Sequence, residues 1–510
     1  MTNINPLTHK NHINHKTTIK KKKVKEEVQD KVIMSEGSLN LKEVNLKSLQ
    51  TYSKEAIEVE NKPAPFTQTE NTSFKTDSPK EWNIVIYMAG DNTLEESMAK
   101  NMVDLERYGS SKSINILVQF DRGSRQHRGI SPWDGARRFY VTKSDNPDDI
   151  ISPVKMDLGD INTANPDELK EFIIWAHKEY PAKHTLLIVS NHGGGFAGVA
   201  NDDSEKSVMS LPDLARALDE AKKALGKDKF DIVGFDCCLM GQTEVAYEIK
   251  DHAGIMIGSE EAEGNGGWPY SSIFGENGKL LKSIDSMVRR QVNITPEMVA
   301  KKIINESTKI QDQLPTLSAI DLSKMDTIAK AASDFAGEVI KNTKELTSNN
   351  GNIDDIRKIA SQSESYSKTI PFIEPYGQYR DVIDFAEKVI KSPDIQSPGL
   401  KEKAVALLKA TQTAIIAEQH SEFYKDSNGL SVYIPTDKPK PQKYGYTKTE
   451  WAKDTLWDEM MIEGQIMTGK KEKWIFVPPP LFDKEIVKQK PDTKPPDLMD
   501  LITPKETRNA

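Results

Sequence analysis

The chain has 510 residues, a formal net charge of −8 and two cysteines. That length accommodates roughly two to four domains and a sizeable buried core. The cysteines are adjacent, Cys237 and Cys238, which excludes a disulfide-rich scaffold and a four-cysteine zinc site, and the acidic balance argues against a general nucleic-acid binder.

Residues 1–80 carry a net charge of +4, leaving −12 for the remaining 430. They are rich in Asn, Lys, Thr and Glu and poor in large apolar groups, so disorder is expected there. Lys20 to Lys23 and Lys25 form a basic run that reads as a solvated tail, contact with an anionic partner being the alternative. His9, His12 and His15 read as tail histidines rather than a metal site. The N-terminus lacks an apolar stretch long enough for a secretory signal peptide, so a cytoplasmic location or a non-standard export route is expected. No stretch approaches the roughly 20 apolar residues of a membrane-spanning helix.

Folded character begins at Trp82. Trp82–Met88 (WNIVIYM) reads as a buried strand, Leu94 to Leu105 as a helix and Ile114–Phe120 as a second strand. Asn165 and Pro166 form a cap and first position for a helix to Tyr180. Thr185–Val189 is a third strand, Leu211 to Leu225 a helix and Phe230–Phe235 a fourth strand with a helix behind it. Ile255–Ile257 is a fifth strand. Apolar strands alternating with amphipathic helices predict an α/β domain over 81–290, with a mainly parallel sheet covered on both faces.

Helical patterns dominate 291–470: Pro296–Thr308, Lys324–Leu346, Tyr379–Ile390 and Leu400–Glu418, with short strands at Thr316–Ile320 and Leu430–Ile434. This predicts a helix-rich C-terminal subdomain. Residues 471–510, with Pro478 to Pro480, Pro491, Pro495 and Pro496, read as an extended tail.

In parallel sheets the reactive groups sit beyond the carboxyl ends of the strands. Of His127, His177, His184, His192, His252 and His420, only His192 directly follows an apolar strand and precedes a glycine cluster, Gly193 to Gly195. A proton carrier beside unhindered amides suits acyl-transfer chemistry. The next strand ends in Asp236-Cys237-Cys238. A cysteine there, ahead of a helix, can be a nucleophile, and neighbouring strands would set it beside His192. From the residues alone, a Cys–His hydrolase and a pair of structural residues both stand.

Together the blocks WNIVIYMAGDNTLE, NHGGGFAG, NDDSEKSVMSLPDLARAL, FDCCLMGQTEVAYE, SEEAEGNGGWPY, YRDVIDFA and GLSVYIP resemble the clostripain family of cysteine peptidases, of the caspase-like clan, from Trp82 to about Pro435. The resemblance implies a caspase-like fold and a Cys–His dyad, with His192 as base and acid. The motif Asp–small–Cys–Leu–Met places the nucleophile at Cys238 and Cys237 in the small-residue slot. It further implies cleavage after Arg or Lys, with Asp236 reading that side chain. The Gly193 amide is the expected oxyanion donor. Glu260, Glu261 and Trp268, just after the fifth strand, are expected to line the substrate cleft, a solvated acidic loop being the alternative. Several members cut themselves after a basic residue between the two blocks, here Lys206, with Ser207 as the new N-terminus. No cofactor is required. Some members use calcium, and Asp202, Asp203 and the Glu260 loop offer oxygen ligands, but no compact loop demands a metal. The expected partners are protein or peptide substrates with Arg or Lys before the scissile bond. The rival functions are a Cys-dependent acyltransferase or transpeptidase and a non-catalytic binding or effector protein on the same scaffold.

Overall fold

The computed structural model describes residues 78–123, 129–274, 279–307, 314–345, 351–366, 378–436 and 445–466. His127 and both expected tails, except residues 78–80, lie outside the described residues. The chain lays down β1 (Lys80–Gly90), β2 (Ile114–Arg122), β3 (Ala136–Tyr140), β4 (Val154–Gly159) and β5 (Ala182–Ser190). A separate hairpin of β6 (Val199–Asp202) and β7 (Ser207–Met209) follows, then β8 (Phe230–Asp236), β9 (Ala253–Gly258) and β10 (Thr316–Asp321). Last come β11 (Tyr379–Asp381), β12 (Ile415–His420) and β13 (Ser431–Tyr433), with β11 and β13 paired apart from the main sheet.

Among the described residues the main sheet has nine strands, in the order β12-β10-β9-β8-β5-β1-β2-β3-β4. The block β9-β8-β5-β1-β2 is parallel, and antiparallel strands extend it at both edges. The helices among the described residues are α1 (Glu95–Glu106), α2 (Pro166–Glu179), α3 (Leu211–Leu225), α4 (Thr243–Ile249), α5 (Tyr270–Ile273), α6 (Lys279–Arg289), α7 (Pro296–Ser307), α8 (Met325–Glu345), α9 (Gly351–Gln362), α10 (Val382–Lys391), α11 (Pro398–Ala414), α12 (Glu450–Asp454) and α13 (Trp457–Ile466). No helix among the described residues is long and apolar enough to cross a membrane.

The continuous apolar runs follow from burial on both faces. Along β1, Val85 and Tyr87 join one buried cluster with Val189 of β5, Phe172 of α2 and Leu218 of α3. Ile84, Ile86 and Met88 point the other way, onto Met102 of α1 and Ile303 of α7. Helix ends are satisfied locally: the Asn165 side chain accepts from the Asp167 N–H, and Gly226 closes α3 at a φ of +63°.

The structure differs from the sequence reading in several places. The segment predicted as one helix to Glu418 ends at Ala414, and Ile415–His420 becomes β12, paired antiparallel with β10. The β-branched pair Ile415-Ile416 suits a strand, and the free edge of β10 supplies its partner. Tyr379–Asp381 is a strand rather than the start of a helix; Asp381 then caps α10, accepting from the Asp384 N–H at 2.7 Å. Strands β3 and β4 escaped prediction because arginines interrupt the first and the second is an exposed edge. The expected boundary near residue 290 falls within continuous structure. β10 and β12 lengthen the sheet, and Phe335 of α8 and Leu407 of α11 share the cluster that holds Val85 and Val189.

Candidate active site

Strands β5 and β8 run parallel with Ser190 beside Asp236, and the Asn191 N–H carries the ladder on to the Asp236 carbonyl at 3.2 Å. Two residues past that register lie His192 and Cys238. Their loops are seated on each other at Gly193, where an added Cβ would lie 2.5 Å from the Cys238 carbonyl oxygen and 2.8 Å from the Cys237 Cβ. Only glycine allows backbones this close. Further along, the Phe196 N–H donates to the Gln242 side chain at 2.7 Å, and the Tyr379 hydroxyl donates to the Gly194 carbonyl at 2.8 Å.

Tertiary placement separates the two cysteines. Cys237 is buried in the core, its thiol donating to the Val189 carbonyl at 3.2 Å. Cys238 is partly exposed, and its sulfur accepts from the Glu263 N–H at 3.3 Å. The next residue, Leu239, has a φ of +65°, a left-handed conformation costly for a branched side chain. That turn sends the chain back toward the loop after β9, where the Leu239 N–H meets the Glu261 carbonyl at 3.2 Å.

His192 Nε2 lies 2.9 Å from the Thr93 hydroxyl. Burial lowers the imidazole to about 4, partly opposed by the charge of Asp203. Burial pushes the Cys238 thiol up to about 12, with the negative charge of Glu263 adding to the shift. The arrangement therefore holds a neutral imidazole and a neutral thiol at neutral pH.

Asp236 is buried. Its carboxylate accepts from the Ser190 hydroxyl and from the Trp268 N–H, both at 2.7 Å. Gly267, at a φ of +60°, permits that contact, since a Cβ there would stand 2.2 Å from the Asp236 Oδ1. Trp268 contributes its main chain to the site; its ring is buried against Gly234 of β8. Glu260 is fully buried elsewhere, accepting from the Gly429 N–H at 2.9 Å beside Asp381. It braces the loop before β13 and does not join Cys238, so the expected cleft role for this side chain is not where the fold puts it. Lys206 is exposed at the tip of the β6–β7 hairpin with a φ of +51°, and the Ser207 hydroxyl donates to the Asn162 side chain at 2.9 Å. Among the described residues no group of three or more His, Cys, Asp or Glu side chains is placed to hold a metal ion.

Thr93 and Glu263 were missed. Both lie inside the quoted sequence blocks, but neither residue type at its spacing signals a contact with His192 or Cys238.

The model of the clostripain family matches residues 86–474. The chain belongs to the clostripain family. As a member it is a cysteine peptidase, a hydrolase of peptide bonds. It is 24% identical to clostripain of Hathewaya histolytica over 72% of this chain and 77% of the relative. Its fold is similar to that of an inactive zymogen C11 protease from Parabacteroides distasonis, with a TM-score of 0.53 and 20% identity over 74% of this chain and 99% of the other. It is also similar to a secreted C11 cysteine protease from Bacteroides thetaiotaomicron, solved with an irreversible peptide inhibitor, with a TM-score of 0.52 and 18% identity over 74% of this chain and 100% of that one. These likenesses support the caspase-like reading of the sheet.

Proposed function

We propose that this clostripain-family peptidase cleaves after Arg or Lys, using Cys238 and His192 as a dyad. The observation that carries this reading is the shared register of β5 and β8, which sets the histidine and the less buried cysteine at equivalent strand ends. The Cys238 thiol gives its proton to the imidazole as sulfur bonds to the substrate carbonyl carbon. The Gly193 amide donates to the oxyanion. The imidazolium then protonates the leaving amine as the C–N bond breaks, leaving a thioester. Water, deprotonated by the imidazole, attacks that thioester and restores the thiol. Asp236 offers its buried carboxylate to the basic side chain before the scissile bond.

Maturation by cleavage after Lys206 completes the reading, since the residue stands exposed at a hairpin tip where a protease can reach it. The test uses amide reporters with Arg, Lys or norleucine before the scissile bond. Cys238→Ala should abolish hydrolysis and Cys237→Ala should retain it; the opposite pattern refutes the nucleophile assignment. Incubated protein should yield a new N-terminus at Ser207 that is absent in Lys206→Ala.

A further inference from the structure

The polar atoms around Asp236 are left short of partners to an unusual degree. Both carboxyl oxygens of Glu263, the Trp268 indole nitrogen and the Tyr270 hydroxyl are buried and lack a hydrogen bond of normal geometry. They act on one another and on Asp236, so the cluster is paired only imperfectly and within itself, which is the condition a better-placed ligand relieves. The Glu263 carboxyl lies close enough to that of Asp236 for each to act on the other, and Tyr270 also acts on Asp236. Neither carboxylate forms an ion pair among the described residues, and no Lys or Arg is among the groups acting most strongly on them. The cluster therefore holds two acids and no base, beside the loop that carries Cys238.

We propose that Glu263 is a second specificity-determining carboxylate of this pocket, and that a basic side chain entering beside Cys238 displaces a proton shared between Glu263 and Asp236. The inference rests on the proposed preference for Arg or Lys. Two buried carboxyls in contact cannot both ionise without a cation. Without a cation the pair thus holds one proton, for a local charge of −1. When the ammonium or guanidinium enters, that proton leaves to solvent and the local charge stays at −1. A neutral side chain gives no such exchange and leaves the acids unpaired, which is the basis of discrimination. The same residue reaches the nucleophile, since its main-chain N–H donates to the Cys238 sulfur at 3.3 Å. Cation binding by the side chain therefore fixes a donor that stabilises the thiolate. Other titratable groups facing the pair are Cys237 and Cys238 at the end of β8 and Tyr270 of α5, and burial holds all three in their neutral forms.

The experiment compares the full chain with Glu263→Gln on Arg, Lys and norleucine amide reporters between pH 5 and 8, before and after a trace of trypsin that is then inactivated. The variant should lose about 10- to 100-fold in kcat/KM on both basic reporters, the range for losing a charge-assisted hydrogen bond, and much less on norleucine. In the wild type, kcat/KM on the Lys reporter should rise with pH as the shared proton becomes easier to expel. In Glu263→Gln the midpoint of that rise should move to lower pH, because Asp236 no longer faces a second acid. An unchanged ratio of basic to norleucine rates, or an unmoved midpoint, overturns the role of Glu263. If the variant does not fold, inhibition of the wild type by n-butylguanidinium decides: its inhibition constant should fall as pH rises, and a constant value from pH 5 to 8 overturns the proton exchange. A wild type that prefers norleucine to both basic residues overturns the Arg/Lys reading itself, and that result is distinct from either failure above.

Discussion

Gly193→Ala tests the proposed pairing of His192 and Cys238 most directly, because it keeps every functional group, including the Gly193 amide. The added Cβ would lie 2.5 Å from the Cys238 carbonyl oxygen, 2.8 Å from the Cys237 Cβ and 3.0 Å from the Met240 Cγ. Ordinary contact begins near 3.4 Å, so the two loops must separate by about 0.9 Å. The nearest atom belongs to backbone and cannot rotate away. A misplacement of about 1 Å at reacting groups can cost on the order of 100-fold in rate. Overpacking of this kind costs about 1–3 kcal/mol of stability, at no more than about 2–4 °C in Tm per kcal/mol, the range for domains of roughly 150–250 residues. The variant should thus melt within about 12 °C of the wild type while losing roughly 100-fold in kcat/KM on a Lys amide reporter. Hydrolysis and thermal unfolding, measured on the same preparation, separate the two effects. Wild-type kcat/KM in Gly193→Ala would refute the claim that the seating of these loops sets the catalytic distance.

Three further outcomes follow from the same structure. With the imidazole lowered to about 4 and the thiol raised to about 12, alkylation of Cys238 by iodoacetamide should climb about tenfold per pH unit from pH 7 to 10, and a plateau below pH 7 would instead reveal a thiolate–imidazolium pair. Thr93→Val keeps the side-chain shape but removes the hydroxyl 2.9 Å from His192 Nε2, so kcat should fall about 3- to 10-fold with little change in Tm; unchanged kcat means that Thr93 does not position the ring. Glu260→Gln should raise Tm at pH 8 relative to its effect at pH 5. Burial, then the charge of Asp381, raises Glu260 well above its usual range, and burial holds Asp381 up to about 7, so the folded pair binds protons that the unfolded chain releases. Its stability is greatest below the unfolded carboxyl range and falls as pH rises through 7. A pH-independent effect of the variant in thermal melts would reject that coupling.

Much of the central sheet was legible in the sequence. The runs from Trp82, Ile114, Thr185, Phe230 and Ile255 are apolar because both faces of those strands are covered, and that pattern needs no tertiary information. The edges were harder to read. Ala136–Tyr140 carries Arg138, whose guanidinium is buried against Phe172 and Trp175 of α2, and a one-dimensional pattern scores that arginine as exposed. Ile415–His420 continues a helical pattern until the free edge of β10 claims it.

The active site divides along the same line. The sequence by itself determined the strand-end positions of His192 and Cys238, the glycines between them and the family block by block, because these depend on short-range order along the chain. Only the tertiary structure decided which acid meets Asp236. Glu260 and Glu263 stand three residues apart on one loop, yet one is drawn to Gly429 and Asp381 while the other turns toward Asp236 and the thiol. The physical reason is that a buried carboxyl is placed by the partners that surround it, and those partners come from β8, α5 and the loop before β13, which lie far apart in the chain and meet only when the sheet closes.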